Sequence, residues 1–543
     1  MGKVFVIGID AGNLELIKKW QDDLPNFSRL LREGASGKLE STIPPSTMPA
    51  WNCMFTGKNP GKLGIYGFII PPQRGEGEFR IASYMYQDSP SLWDILGDEG
   101  KKVGVVNVPT VFPPKEVNGF MVAGGLLTPL YKDTEYTFPP ELKQELNRVV
   151  DGYEVLPFTD VRIPGKERKY LERFKRNIEK QTQAVKYLMT NREWDFLTYV
   201  FYVTDSAQHY FWHHMDETHP RHDQRKSAKY KDAIKEVYQK VDAAIGDFLS
   251  VLPQDTTILI VSDHGTAPAY GNFAANAWLM DRGFLSYRPR GRNWKLALRH
   301  ALVWIKDLLS RYLSPALIEF IVRCTPKRLL KMFLFRELYR TLSQQIMEII
   351  DWKHTKAYSL GMGSIFINLE GREAEGIVKP EDYERVREDI VAEFLKLKDQ
   401  QGRKPTCHVF RKEEVYWGKH LDSAPDLFCL VEGYPPFPGF ASKKVLTDRA
   451  LRSGAHSMYG TFIAYGSQIK KGLEVEQAKI YDITPTVLHL MGLAIPKDID
   501  GRVLAEIFEE DSEAAKRSVA YQDVALKEKV KDRIKELKRR GKV

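Results

Sequence analysis

Seven short runs rich in β-branched and aromatic residues, at 4–9, 103–108, 196–203, 257–262, 365–369, 427–431 and 461–464, recur between segments of helical length. A run that stays apolar along its whole length, without in-out alternation, belongs to a strand covered on both faces. The pattern therefore predicts an α/β fold, a mostly parallel sheet between two layers of helices. With 543 residues and 43% hydrophobic side chains the chain has ample material for a packed core, which excludes disordered and fibrous architectures. No fixed-period repeat is visible.

The strand pattern stops between Leu285 and Trp352, where Leu298, Leu302, Ile305, Leu308, Leu309 and Leu313 take the spacing of an amphipathic helix. Strands resume beyond it, so 286–349 reads as a helical insertion in a core made of 1–285 and 350–505. Residues 506–543 read as a charged helical tail with Leu526, Val530, Ile534 and Leu537 on one stripe. The formal charge of +9 is local: residues 288–340 carry thirteen basic and three acidic side chains, and the tail adds more, so the core is acidic. Such basic helices are either solvated or a contact for an anionic membrane or polyanion. Trp294, Trp304 and Tyr312 fit helix packing as well as base stacking, which ranks nucleic acid below membrane. Cys53, Cys324, Cys407 and Cys429 lie far apart and read as buried thiols in a reducing compartment. The apolar run at the N-terminus is too short for a secretory signal, and no stretch is long enough to span a bilayer. The expectation is a cytoplasmic protein with a peripheral membrane contact through the basic helices.

Ligands bind beyond the carboxyl ends of strands in open parallel sheets. Asp10 follows the first run, Asp205 the third, and Asp263-His264 the fourth, while His456 lies in a Gly-flanked loop just before the last. Asp205 and His209 are an i,i+4 pair and face one way if a helix begins there. Singly, each has a commoner use as a cap, a turn or surface polarity. Together, three Asp and three His suffice for two adjacent borderline metals. The turn Pro44-Pro45-Ser46-Thr47 runs into a helix, where Thr47 or Ser46 is either a nucleophile or an N-cap. His213, His214 and His219 read as packing or cleft-lining residues, and Gly361-Met362-Gly363 as a turn into a strand.

Asp10, the Thr47 turn with Thr56-Gly57-Lys58-Asn59-Pro60-Gly61-Lys62-Leu63-Gly64-Ile65, Thr204-Asp205 to His209, Ser262-Asp263-His264-Gly265 and Gly454-Ala455-His456 resemble, in order, the alkaline phosphatase superfamily. The closest likeness is to its type I phosphodiesterase/nucleotide pyrophosphatase branch, and it extends to Tyr481–Leu488 and Asp500–Leu504. The resemblance implies an alkaline-phosphatase-like sandwich with two divalent metal ions. Zinc is the family's usual metal, and manganese or iron suits the same ligands. It places one ion on Asp205, His209 and His456, and the other on Asp10, Asp263, His264 and Thr47 Oγ1. Thr47 then forms a phosphothreonine that is hydrolysed in turn. Where that family tends to have Asn and His after the proline of the turn, Ala50 and Trp51 stand here, which leaves Asn52 as a replacement donor to a phosphate oxygen. The register of Thr47, Pro49 and Trp51 disfavours a sulfatase.

The implied activity is hydrolysis of a phosphate ester, its substrate a nucleotide or a lipid head group. A phosphomonoesterase or phosphomutase on the same core, and a non-catalytic binder of anionic membrane or nucleic acid, are the alternatives.

Overall fold

The computed structural model describes residues 2–71, 80–128, 134–155, 165–288, 349–399, 401–439, 442, 444–448, 450 and 452–523. The helical stripes expected at 298–313 and 526–537, and Cys324, lie outside the described residues.

Nine strands form one sheet in the order Leu473–Lys479, Ala35–Glu40, Tyr459–Tyr465, Thr257–Val261, Val4–Ile9, Phe196–Phe201, Val103–Val106, Gly119–Val122, Thr137–Phe138. Five of its eight pairings are parallel, so the mostly parallel sandwich is the observed fold. Along Val4–Ile9, Phe5, Ile7 and Ile9 enter one core while Val4 and Val6 enter the other, the physical reason that this run is apolar throughout. Helices Pro25–Glu33, Glu167–Asn191, Val203–Met215 and Ala233–Leu249 cover the first face through Phe27, Ile178, Phe211 and Val237. Thr47–Met54, Leu92–Asp98 and Ile483–Leu490 cover the second through Trp51, Trp93 and Val487. Each such side chain contributes about 1.5–3 kcal/mol when removed from water.

Two of the apolar runs lie elsewhere. Ser364–Ile367 and Leu427–Val431 belong to a separate four-stranded sheet with Ala357–Gly361 and Cys407–Arg411, antiparallel throughout. Helix Tyr383–Phe394 packs into its core through Val386, Ile390 and Phe394. An apolar run reports coverage on both faces and is silent on the partner's direction, which is why these strands read as part of the parallel sheet. The Gly361-Met362-Gly363 turn joins the first two strands of this sheet, and all three residues have positive φ.

Beyond residue 505 the described chain is not one continuous helix. Short turns Ala505–Ile507 and Glu513–Lys516 are followed by Tyr521–Gln522, which pairs in parallel with Ile495–Pro496. His489 Nε2 bonds to Ala514 O at 2.8 Å, and Arg517 Nη1 donates to His489 O at 2.7 Å, holding this segment on the core. Cys53 and Cys429 are buried, whereas Cys407 is only half-buried. No described helix is long and apolar enough to cross a membrane.

Candidate active site

Three neighbouring parallel strands deliver the carboxylates. Asp10 ends Val4–Ile9 and is held there by its N–H to Phe201 O at 3.0 Å and by Thr204 Oγ1, which donates to Asp10 O at 2.6 Å. Asp263 follows Thr257–Val261, and its Oδ1 accepts from Ala11 N at 3.1 Å. Asp205 lies in the first turn of Val203–Met215, so the i,i+4 geometry predicted with His209 is realised: His209 Nε2 is 3.0 Å from Asp205 Oδ1.

His456 sits in a strand, not a loop. Gly454–Ser457 pairs antiparallel with Gly265–Pro268, and Thr266 faces His456 across this ribbon. A four-residue segment with two small residues carries too little apolar pattern to read as a strand; it forms because the chain leaving His264 offers it a partner.

The three imidazoles share one arrangement. Nδ1 of His209, His264 and His456 is bonded to the carbonyls of Gly454, Gly265 and Pro45 at 2.6, 3.0 and 3.1 Å. Those acceptors assign the proton to Nδ1 and leave each Nε2 with a lone pair. The Nε2 atoms converge: His209 and His456 bring theirs within 3.1 Å, and the His264 and His456 rings stack at 3.7 Å. Asp205, His209 and His456 offer ligand atoms all within 4.8 Å of one another, as do Asp10, Asp205 and His264. Asp205 thus belongs to both groups. Asp263 meets the second through His264, whose Nε2 is 3.2 Å from Asp263 Oδ2.

The electrostatics match the geometry. Burial, with the nearby charges of Asp263 and Asp205, pushes Asp10 well above the usual carboxylate range, and burial does the same to Asp263. Burial also works to raise Asp205, and protons on Nε2 of His209 and His456 outweigh it and hold that carboxyl well below the usual range. Burial lowers His209 to about 4 and takes His264 well below its usual value. Asp10 Oδ1 and Asp263 Oδ2 are buried with no hydrogen-bond partner. Two facing imidazole lone pairs beside partnerless carboxylate oxygens are costly as they stand. Divalent cations would satisfy all of them, so the donor set fits such ions.

Thr47 opens the helix Thr47–Met54, and its Oγ1 is 3.4 Å from His264 Nε2. Ser46 occupies the N-cap position without capping, its Oγ buried and unpartnered. Thr47 is therefore not the cap. Asn52, expected from the sequence to donate to a phosphate oxygen, gives one Nδ2 hydrogen to Met48 O at 2.7 Å, and its Oδ1 is buried without a partner. The second hydrogen of that amide nitrogen is a further donor. His219 is held by Ala269 O at 2.9 Å, and His213 and His214 pack on each other at 3.9 Å; none of them joins a ligand cluster among the described residues.

The Thr56 to Ile65 motif is a structural lock. Asp500 Oδ2 accepts from Asn59 N and Nδ2 at 2.8 and 2.9 Å, and Asp500 Oδ1 pairs with Lys62 at 2.6 Å and with Trp417 Nε1 at 2.8 Å. Lys58 pairs with Asp498. These contacts pin the end of the Thr47 helix to the chain near residue 500. The sequence did not show the carbonyl anchors of the histidines or the bond from Trp51 Nε1 to Asp10 Oδ2 at 3.2 Å. Trp51 carried a signal, as an unexpected residue four positions after Thr47. Backbone carbonyls leave no trace in residue identity.

A sheet whose carboxyl edge gathers carboxylates and imidazoles beside a helix-start threonine places the chain in the alkaline phosphatase superfamily. The family model "Type I phosphodiesterase / nucleotide pyrophosphatase" matches residues 4–434, and the chain belongs to that family. It is accordingly a phosphoric ester hydrolase. The match includes Asp10, Thr47, Asp205, His209, Asp263 and His264; His456 lies beyond it. No curated protein matches the chain.

Proposed function

We propose that the chain hydrolyses phosphodiesters or nucleotide pyrophosphate bonds at a two-cation centre, through a phosphothreonine on Thr47. The carrying observation is that three imidazoles, each with Nδ1 committed to a backbone carbonyl, turn Nε2 toward Asp205, Asp10 and the Thr47 hydroxyl. Asp205, His209 and His456 would hold one ion, and Asp10, Asp263 and His264 the other, with Asp205 near both. Zinc suits this mixture of nitrogen and oxygen donors, as do manganese and iron. Such ions, when bound, neutralise phosphate charge and lower the pKa of a nearby hydroxyl.

The chain's own groups do the rest. Thr47 needs no histidine base, and the rigid helix start fixes its Oγ1 in direction. Ser46 leaves that start uncapped, so first-turn N–H groups remain to hold a phosphate oxygen, the role for which the Asn52 amide is the other candidate. Thr47 Oγ1 bonds to phosphorus as the bond to the leaving ester oxygen breaks. Water then displaces Thr47 from phosphorus and restores the hydroxyl. The carbonyl-anchored histidines keep their orientation through both steps.

Thr47→Ala should lower the turnover of an aryl phosphodiester by at least a thousandfold while leaving metal content unchanged. An acid quench of the wild type should trap phosphate on Thr47. Full metal-dependent turnover by the variant would sink the assignment.

A further inference from the structure

We propose that Trp51 is the positioning residue that fixes Asp10 at the metal centre and couples it to the helix bearing Thr47; this rests on the two-cation reading of the site. Trp51 Nε1 donates to Asp10 Oδ2 at 3.2 Å, and both side chains are fully buried. The other oxygen, Oδ1, has no hydrogen-bond partner and lies 3.9 Å from His264 Nε2. One oxygen is restrained by the indole, and one is left for a cation.

The ring itself is held in place. It stacks on Phe55 with centroids 5.9 Å apart and planes 15° apart. It also lies over Gly8, where a Cβ would come within 2.6 Å of the ring. Gly8 precedes Asp10 by two residues on the same strand, so that strand lacks a side chain where the indole passes. Thr47 and Trp51 are four residues apart on one helix and share a face. A single rigid face therefore carries the nucleophile's hydroxyl and the donor to a ligand carboxylate. The indole N–H only donates. Trp51 cannot ligate, and its influence on the centre passes through the direction and charge of Asp10.

Trp51→Phe keeps the ring packing and removes the donor. Metal-stripped wild type and variant are titrated with Zn²⁺ by calorimetry, and the metal-free forms are melted to compare folding. The wild type should take up two ions. The variant should also take up two, one of them roughly 10- to 100-fold more weakly, with its metal-free melting temperature lowered only by the few degrees that loss of one buried hydrogen bond brings. In an Asp10→Asn background the same change should leave the remaining affinity untouched. Equal affinities for variant and wild type would overturn the inference, as would a lowered melting temperature with unchanged affinities or an additive effect in the double variant. If the phenylalanine variant does not fold, benzothienylalanine at position 51, an indole isostere with sulfur in place of the N–H, reads the same affinity. A wild type that binds no Zn²⁺ would overturn the two-cation reading as well; two tight sites unaffected by either replacement would overturn the Trp51 inference alone.

Discussion

At the residue scale, Asp205 is the group on which the centre turns. Among the described residues it is the one carboxylate within ligand distance of both His209 with His456 and Asp10 with His264. Its Oδ1, like Asp10 Oδ1 and Asp263 Oδ2, is buried without a hydrogen-bond partner. Asp10 and Asp263 are each disfavoured as anions by burial and by neighbouring carboxylates. Removing Asp205 should therefore do more than remove one ligand. Asp205→Asn is expected to reduce the metal content from two ions to none, while Asp10→Asn retains one. Elemental analysis of the purified variants checks this, and one retained ion in Asp205→Asn would show that the two groups do not share it.

At the element scale, the small antiparallel sheet is tied together by one buried anion. Asp426 accepts from Arg372 Nη1 and Nη2 and from Tyr383 Oη, each at 2.7 Å, from Ile367 N at 2.7 Å and from Lys412 Nζ at 3.1 Å. Burial works to raise Asp426, and Arg372 with Lys412 outweighs it, holding this carboxyl below the usual range. A depressed folded-state value means that the stabilisation is present above the ordinary carboxylate pKa of about 4 and fades as the pH falls through the lower folded value. Asp426→Asn should remove the buried counter-charge of Lys412 and leave Arg372 with Glu373 alone, destabilising the protein by about 3–5 kcal/mol in urea unfolding at pH 7. The gap between variant and wild type should narrow only below pH 4. A gap already narrowing between pH 6 and 5 would mean that Asp426 is not the titrating group.

The same elements show what a sequence can reveal. Strand ends that carry Asp10, Asp205 and Asp263 were legible because buried parallel strands are apolar on both faces and the following residue is abruptly polar. Ala35–Glu40 and Leu473–Lys479 were not, since the first alternates buried and less buried residues, the second breaks its alternation at a register shift between Val475 and Ala478, and Gly37, Lys38, Glu474 and Glu476 dilute the pattern. The candidate ligand residues could be named one by one, but two kinds of restraint could not. The carbonyls of Gly454, Gly265 and Pro45 act through backbone. Trp51 acts across a fold that joins residue 51 to residue 10, and the type of residue alone does not say which carboxylate an indole will meet.

On the scale of the whole molecule, the site stands where separate parts of the chain meet. Val4–Ile9, Phe196–Phe201 and Thr257–Val261 supply the floor, the ribbon of Gly265–Pro268 with Gly454–Ser457 supplies a wall, and the Thr47 helix is locked to the residues near 500. The unfolded chain has no such convergence, so ions that bind the folded centre stabilise the whole fold by mass action. At a concentration a hundred times Kd, one site adds about 2.7 kcal/mol, and each further tenfold adds about 1.4 kcal/mol. The relief should be larger than for a preformed neutral pocket's ligand, because Asp10 and Asp263 gain the counter-charge that their burial denies them. Chelator-treated protein should therefore melt several degrees lower than protein in micromolar Zn²⁺, with a melting temperature that rises with metal concentration. Because Asp205 lies within ligand distance of both candidate groups, Asp205→Asn should abolish that dependence while Thr47→Ala preserves it. A melting temperature indifferent to chelator and metal would show that the convergence of strands, ribbon and helix is held together without cations, and the proposed centre would fall with it.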